Sequence, residues 1–198
     1  MSDLELLEKR WSELASKPKT KEEVRETLLL AKQIELERAK EYHGLIKELA
    51  ELGIEIDTIW DLVNTKSKYP LAIPVLIKYL PLVSYARNKE GIVRALTVRE
   101  AKGLAIPVLL ETYLQLPNDN QDLKWVIGYA VKATIIKKQA AYIFPIVLNR
   151  ENGLSRQMLV AALGKVKSDK VRAVLLQLVN DEDEVISAEA KKALRKSF

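Results

Sequence analysis

Apolar positions in the C-terminal two-thirds of the chain return at a nearly constant interval. The hexapeptide Leu71-Ala72-Ile73-Pro74-Val75-Leu76 recurs letter for letter as Leu104-Ala105-Ile106-Pro107-Val108-Leu109, 33 residues later. Four alanines, Ala95, Ala130, Ala162 and Ala193, follow one another at intervals of 35, 32 and 31 residues. Around them, positions −3, 0 and +1 read Ile92/Ala95/Leu96, Ile127/Ala130/Val131, Leu159/Ala162/Leu163 and Ala190/Ala193/Leu194. Those offsets share one face of an α-helix, and the small alanine lets a neighbouring helix approach closely. The preceding helices are expected to centre on Pro74, Pro107, Pro145 and, with valine in place of proline, Val174. A period of roughly 30 residues carrying two helices predicts helix pairs that bury a shared stripe by stacking.

Upstream, the pattern changes to long helices. Ser2-Asp3-Leu4-Glu5 and Thr20-Lys21-Glu22-Glu23 both match the capping box, in which a hydroxyl and a later carboxylate satisfy orphan amides reciprocally. The first predicts a short helix to about Ser16, broken at Lys17-Pro18-Lys19. The second opens a long helix with Val24, Leu28, Ala31, Ala39, Tyr42, Ile46 and Leu49 along one stripe, divided or kinked near Gly44 and stopped at Gly53. Leu29, Leu30, Ile34 and Leu36 widen that stripe, so packing on two sides is expected, with a coiled-coil arm as the rival arrangement. Asp57 is placed to cap a short helix at Thr58–Val63, and Ser155 stands as an N-cap.

The segment from about residue 69 to 198 resembles HEAT repeats, particularly the short bacterial HEAT-like type. Pro74, Pro107 and Pro145 match the proline of the family's first helix. Lys89, Lys124 and Arg156, each six residues before its alanine, match the early basic residue of the second. The fourth repeat carries Ser187 there. The family's turn aspartate is clear only as Asp119 or Asp122, is Asn152 in the third repeat and is lacking in the first. The resemblance implies an all-α fold of the armadillo type, an α-α superhelix or solenoid of four HEAT-like pairs over 69–198. Residues 1–68 would form an N-terminal helical extension that caps the first pair. It also implies that the second helices line a concave side.

Charge sharpens this picture. The 198 residues carry a formal charge of +5, but unevenly. Residues 1–63 hold 10 basic and 15 acidic side chains, 64–180 hold 18 and 7, and 181–198 hold 4 and 5. A basic middle between acidic ends bears on partners and encounter rates rather than on fold. With no cysteine and a single histidine, His43, disulfides, thiolate chemistry and Cys- or His-rich metal sites are excluded. The opening residues Met1–Glu5 lack the basic and apolar stretches of a secretory signal, and no apolar run reaches the roughly 18–20 residues of a membrane span. A cytoplasmic address and no membrane partner are expected.

No motif of nucleotide binding or nucleophilic catalysis is present, and the carboxylates of Asp181–Glu184 lack the spacing of a calcium loop. No enzyme activity, cofactor, metal or small-molecule substrate is therefore expected. Positions −5, −1 and +2 of the second helices form a different stripe: Glu90/Arg94/Thr97, Trp125/Tyr129/Lys132 and Gln157/Ala161/Gly164. By the resemblance this stripe floors the groove. Glu90, Arg94, Trp125, Tyr129, Lys132 and Gln157 are thus the candidate partner-binding residues, in an aromatic-and-basic groove suited to an acidic protein surface. The alternative that both rings pack against a neighbouring helix stays open. So does nucleic-acid binding through the basic middle. The resemblance also brings in the HEAT-like alkylpurine DNA glycosylases, which use groove aromatics and an aspartate, here matched in residue type by Trp125 and Asp122. Lys89, Lys124 and Arg156 invite a phosphate-binding reading, against which pairing with a turn carboxylate or carbonyl is the plainer account.

Overall fold

The computed structural model describes residues 3–17 and 20–197. The expected capping box at Ser2 and the break at Pro18-Lys19 involve residues outside that set. Among the described residues the chain is all-helical, with twelve α-helices, four 3-10 segments and no strand. None of the helices among these residues is long and apolar enough to cross a membrane.

Two helices open the fold: α1 (Asp3–Ala15) and α2 (Lys21–Lys40), which pack along each other. The capping box at Thr20 forms as predicted. The Glu23 amide donates to Thr20 Oγ1 at 3.2 Å and the Thr20 amide to Glu23 Oε2 at 2.9 Å. Those bonds and Lys17 hold the Glu23 carboxyl down at about 2. Packing on two sides of α2 is not realised, since Leu28, Leu29 and Leu36 remain exposed. The helix is instead fastened at its C-terminal end, where the Arg38 carbonyl accepts from Asn88 Nδ2 at 2.9 Å. The Glu41 carboxylate there accepts from the Ser84 and Tyr85 amides. That docking explains why the chain turns at Glu41-Tyr42, slightly before Gly44. The next helix is α3 (His43–Glu51). Gly44 serves close approach, because a Cβ there would stand 2.9 Å from the Tyr79 hydroxyl. Gly53 ends α3 as expected, at φ 76°, while the Ile54 amide donates back to the Leu49 carbonyl.

Helix α4 (Ile59–Asn64) is capped differently from expectation. Asp61, rather than Asp57, supplies the carboxylate, accepting from the Asp57 and Thr58 amides at 2.9 and 2.8 Å.

Four pairs follow. Their first helices are α5 (Ala72–Tyr79), α7 (Ile106–Gln115), α9 (Phe144–Leu148) and α11 (Asp169–Leu178). Their second helices are α6 (Ala86–Ala95), α8 (Gln121–Thr134), α10 (Arg156–Leu163) and α12 (Glu184–Ser197). Pro107 and Pro145 sit in the first turn of α7 and α9 rather than at the helix centres as expected, because a proline's missing N–H leaves no donor unpaired only there. The second helices contact one another in chain order, α6 on α8, α8 on α10 and α10 on α12, and α4 packs on α6 ahead of them. The alanine stripe is buried at these contacts, Ala95, Ala130 and Ala162 completely. A single cluster of buried hydrophobic residues runs from Tyr42 to Ala193, with Leu14 and Ile34 buried apart from it in α1 and α2.

Candidate functional site

Helix α8 is buried on one side and open on the other. Ile127, Ala130 and Val131 face the core, and Gly128 meets α10 so closely that a Cβ would lie 2.9 Å from that of Met158. On the opposite side Trp125 and Tyr129, one turn apart, are 38% and 48% exposed. Both rings are therefore displayed, which answers the question left open by the sequence. They stack with centroids 6.1 Å apart and planes 14° from parallel. Trp125 Nε1 donates to Gln157 Oε1 of α10 at 3.0 Å, fixing the indole. Lys132 Nζ lies 5.9 Å from the Tyr129 ring centre, within reach of a cation–π contact.

Arg94 arrives from α6, its Nε held at 2.6 Å by Glu90 Oε1 one turn earlier. With Val63, Thr97, Trp125, Val126 and Tyr129 it lines a cleft of about 250 Å³. The six candidate residues thus divide by role. Arg94, Trp125 and Tyr129 form the cleft, Glu90 and Gln157 orient two of them, and Lys132 stands beside the second ring. Val63 and Val126 were missed; they complete the apolar wall, and nothing in the repeat spacing singles out Val63 on α4. Asp122 is exposed on the first turn of α8 and does not line the cleft.

A second cleft of about 330 Å³ adjoins through the shared Arg94 and Thr97, and brings Lys66, Lys68 and Arg99 together with Glu100. Sequence reasoning passed over these residues because they lie in turns outside the helical columns. Lys165 reveals a further set of neighbours. Desolvation first, then the charges of Lys132, Lys196 and Lys102, hold its ammonium below the ordinary lysine range.

Two members of the basic column, Arg156 and Lys124, serve packing. Arg156 is buried, and its Nη1 and Nη2 donate to Asp181 at 2.8 and 3.0 Å while Nε and Nη1 donate to the Gly153 and Val147 carbonyls. The Arg156 hydrogen bonds pull the Asp181 carboxyl below its usual range. Lys124 is equally buried, donating to Asn118 Oδ1 at 2.7 Å with its ammonium 4.9 Å from the Tyr113 ring centre. Phosphate binding by these two is excluded by burial. Ser155 does not cap α10. Its backbone is already helical, and its hydroxyl joins Tyr113 Oη at 2.6 Å and the Asn152 carbonyl, while Gln121 Oε1 accepts from its amide.

Among the described residues no group of three or more histidine, aspartate or glutamate side chains is arranged to hold a metal ion. No family model, curated protein or solved structure matches the chain.

Proposed function

We propose that this chain is a HEAT-like α-solenoid of four helix pairs with an N-terminal helical cap. It acts as a non-enzymatic cytoplasmic adaptor or scaffold that engages an acidic protein surface along its second helices. The architecture draws support from the 33-residue recurrence of the hexapeptide together with the chain-order contacts of α6, α8, α10 and α12. The binding role draws on one observation above all, a stacked tryptophan and tyrosine exposed beside Arg94 and Lys132 on a helix that buries Leu123, Ile127, Ala130 and Val131 on its other side. Exposed large aromatics next to cations are typical of the residues that dominate protein interfaces.

The test is capture from nuclease-treated cell extract by immobilised protein, wild type against Trp125→Ala. A protein retained by the wild type, released by moderate salt and lost with Trp125→Ala supports the reading; equal retention by both forms contradicts it.

Nucleic acid is the second reading, favoured by the cations of the cleft at Lys66 and Arg99. It requires affinity for DNA or RNA that falls steeply with salt as counterions are released, and a flat response removes it.

A further inference from the structure

Four lysines gather at one edge of the fold, where the C-terminal ends of α8, α10 and α12 adjoin the turn that follows Arg99–Ala101. The Gly103 amide donates to the Thr134 carbonyl at the end of α8 at 2.8 Å, and Ser197 Oγ at the end of α12 donates to the Gly164 carbonyl at the end of α10. Lys102, Lys165 and Lys196 are the immediate neighbours of Gly103, Gly164 and Ser197, and Lys132 lies two residues before Thr134. These four lysines recur at intervals of 30, 33 and 31 residues, one per helix pair. Among the described residues none of the four has a carboxylate within ion-pair distance, unlike Lys40, Lys78 and Lys192. A helix C-terminus favours one nearby cation through its macrodipole. It does not explain four in register without counter-charges, close enough that Lys165 titrates under the influence of the other three.

We propose that this edge binds an extended acidic polypeptide, with carboxylates on Lys102, Lys132, Lys165 and Lys196 and an apolar side chain in the cleft of Trp125 and Tyr129. The proposal rests on the protein-binding reading above and gives that partner a form. Lys132, Lys165 and Lys196 stand at the ends of the successive neighbours α8, α10 and α12, and packed helices lie about 8–10 Å apart. An extended chain in the polyproline II form advances about 3.1 Å per residue with three residues per turn, so carboxylates at every third position stay on one face about 9 Å apart and match that spacing. Charge complementarity follows from the unpaired ammonium groups. The single aromatic pair gives one apolar foothold beside Lys132. A surface that tracks single-stranded nucleic acid instead repeats its stacking platforms along the strand. On a duplex strand phosphates recur about every 3.4 Å, far more densely than the lysines.

The experiment measures fluorescence anisotropy with a labelled twelve-residue peptide carrying glutamate at every third position and one central leucine. A permuted peptide with its glutamates in one block and an oligothymidylate of equal charge serve as competitors. Lys132→Gln/Lys165→Gln should weaken the spaced peptide about tenfold. Lys47→Gln/Lys78→Gln, which removes the same charge elsewhere, should leave binding nearly unchanged. Both double variants should keep the wild-type thermal midpoint. Equal affinity for the permuted peptide, or tighter binding of the oligothymidylate, overturns the proposal. If Trp125→Ala weakens the peptide while Lys132→Gln/Lys165→Gln does not, the lysine row is wrong but the cleft reading survives. If neither changes binding, both fall.

Discussion

Two side chains on α8 and α10 illustrate how one pattern yields opposite fates. Trp125 is large and apolar yet displayed, whereas Arg156 is charged yet buried. Trp125→Ala removes a stacked partner and one hydrogen bond rather than a core side chain, so it should cost about 1–2 kcal/mol in a denaturant melt, below the roughly 3–5 typical of a buried ring. Arg156 is the reverse case. Arg156→Met leaves the Asp181 carboxylate buried without its partner and should cost about 3–5 kcal/mol. Because Asp181 has its pKa lowered in the fold, its contribution is present above the ordinary aspartate value of 3.8 and is lost as pH falls through the depressed value. The advantage of wild type over Asp181→Asn, followed by thermal melts across pH, should therefore be full near neutrality and vanish in acid. The pairing of the basic column with turn groups was legible in the sequence for Arg156 and Lys124. Ser155 was not, because its role depends on Tyr113, 42 residues away.

Helix existence followed closely from periodicity, since the alanine stripe and the prolines each have a local physical consequence. Helix ends were less legible. The turn at Glu41 exists because that carboxylate meets Ser84 and Tyr85, a contact that only the folded chain creates. The exposed face of α2 has the same origin, as apolar spacing reveals which face wants a partner but not whether one arrives. Contacts between successive second helices depend on small residues at specific points. Gly128 faces Met158 and Leu159 of α10 with no room for a side chain. Gly128→Val should thus overpack the α8–α10 contact and destabilise the protein by about 1–3 kcal/mol, read as a lower denaturation midpoint. Unchanged stability would mean that the two helices sit further apart than described.

At the scale of the molecule, a continuous core, successive second helices in contact and an asymmetric charge distribution occur together. An elongated stack of pairs should scatter with a radius of gyration clearly above the approximately 16 Å expected for a compact globule of this length. Small-angle scattering at several protein concentrations checks that directly. The cleft drew its aromatic and basic residues from α6 and α8, as the repeat columns indicated. Val63, the part of its apolar wall that comes from α4, lies outside the repeats, so no column could announce it. The most direct measurement of the central claim, that this face exists to receive acidic protein chains, is a calorimetric titration with poly-L-glutamate. Wild-type protein and Trp125→Ala/Tyr129→Ala would be compared at equal ionic strength and with their folding verified. Saturable binding by the wild type, weakened about tenfold in the folded variant, is the predicted result; equal binding by the two, or none by either, would contradict the account.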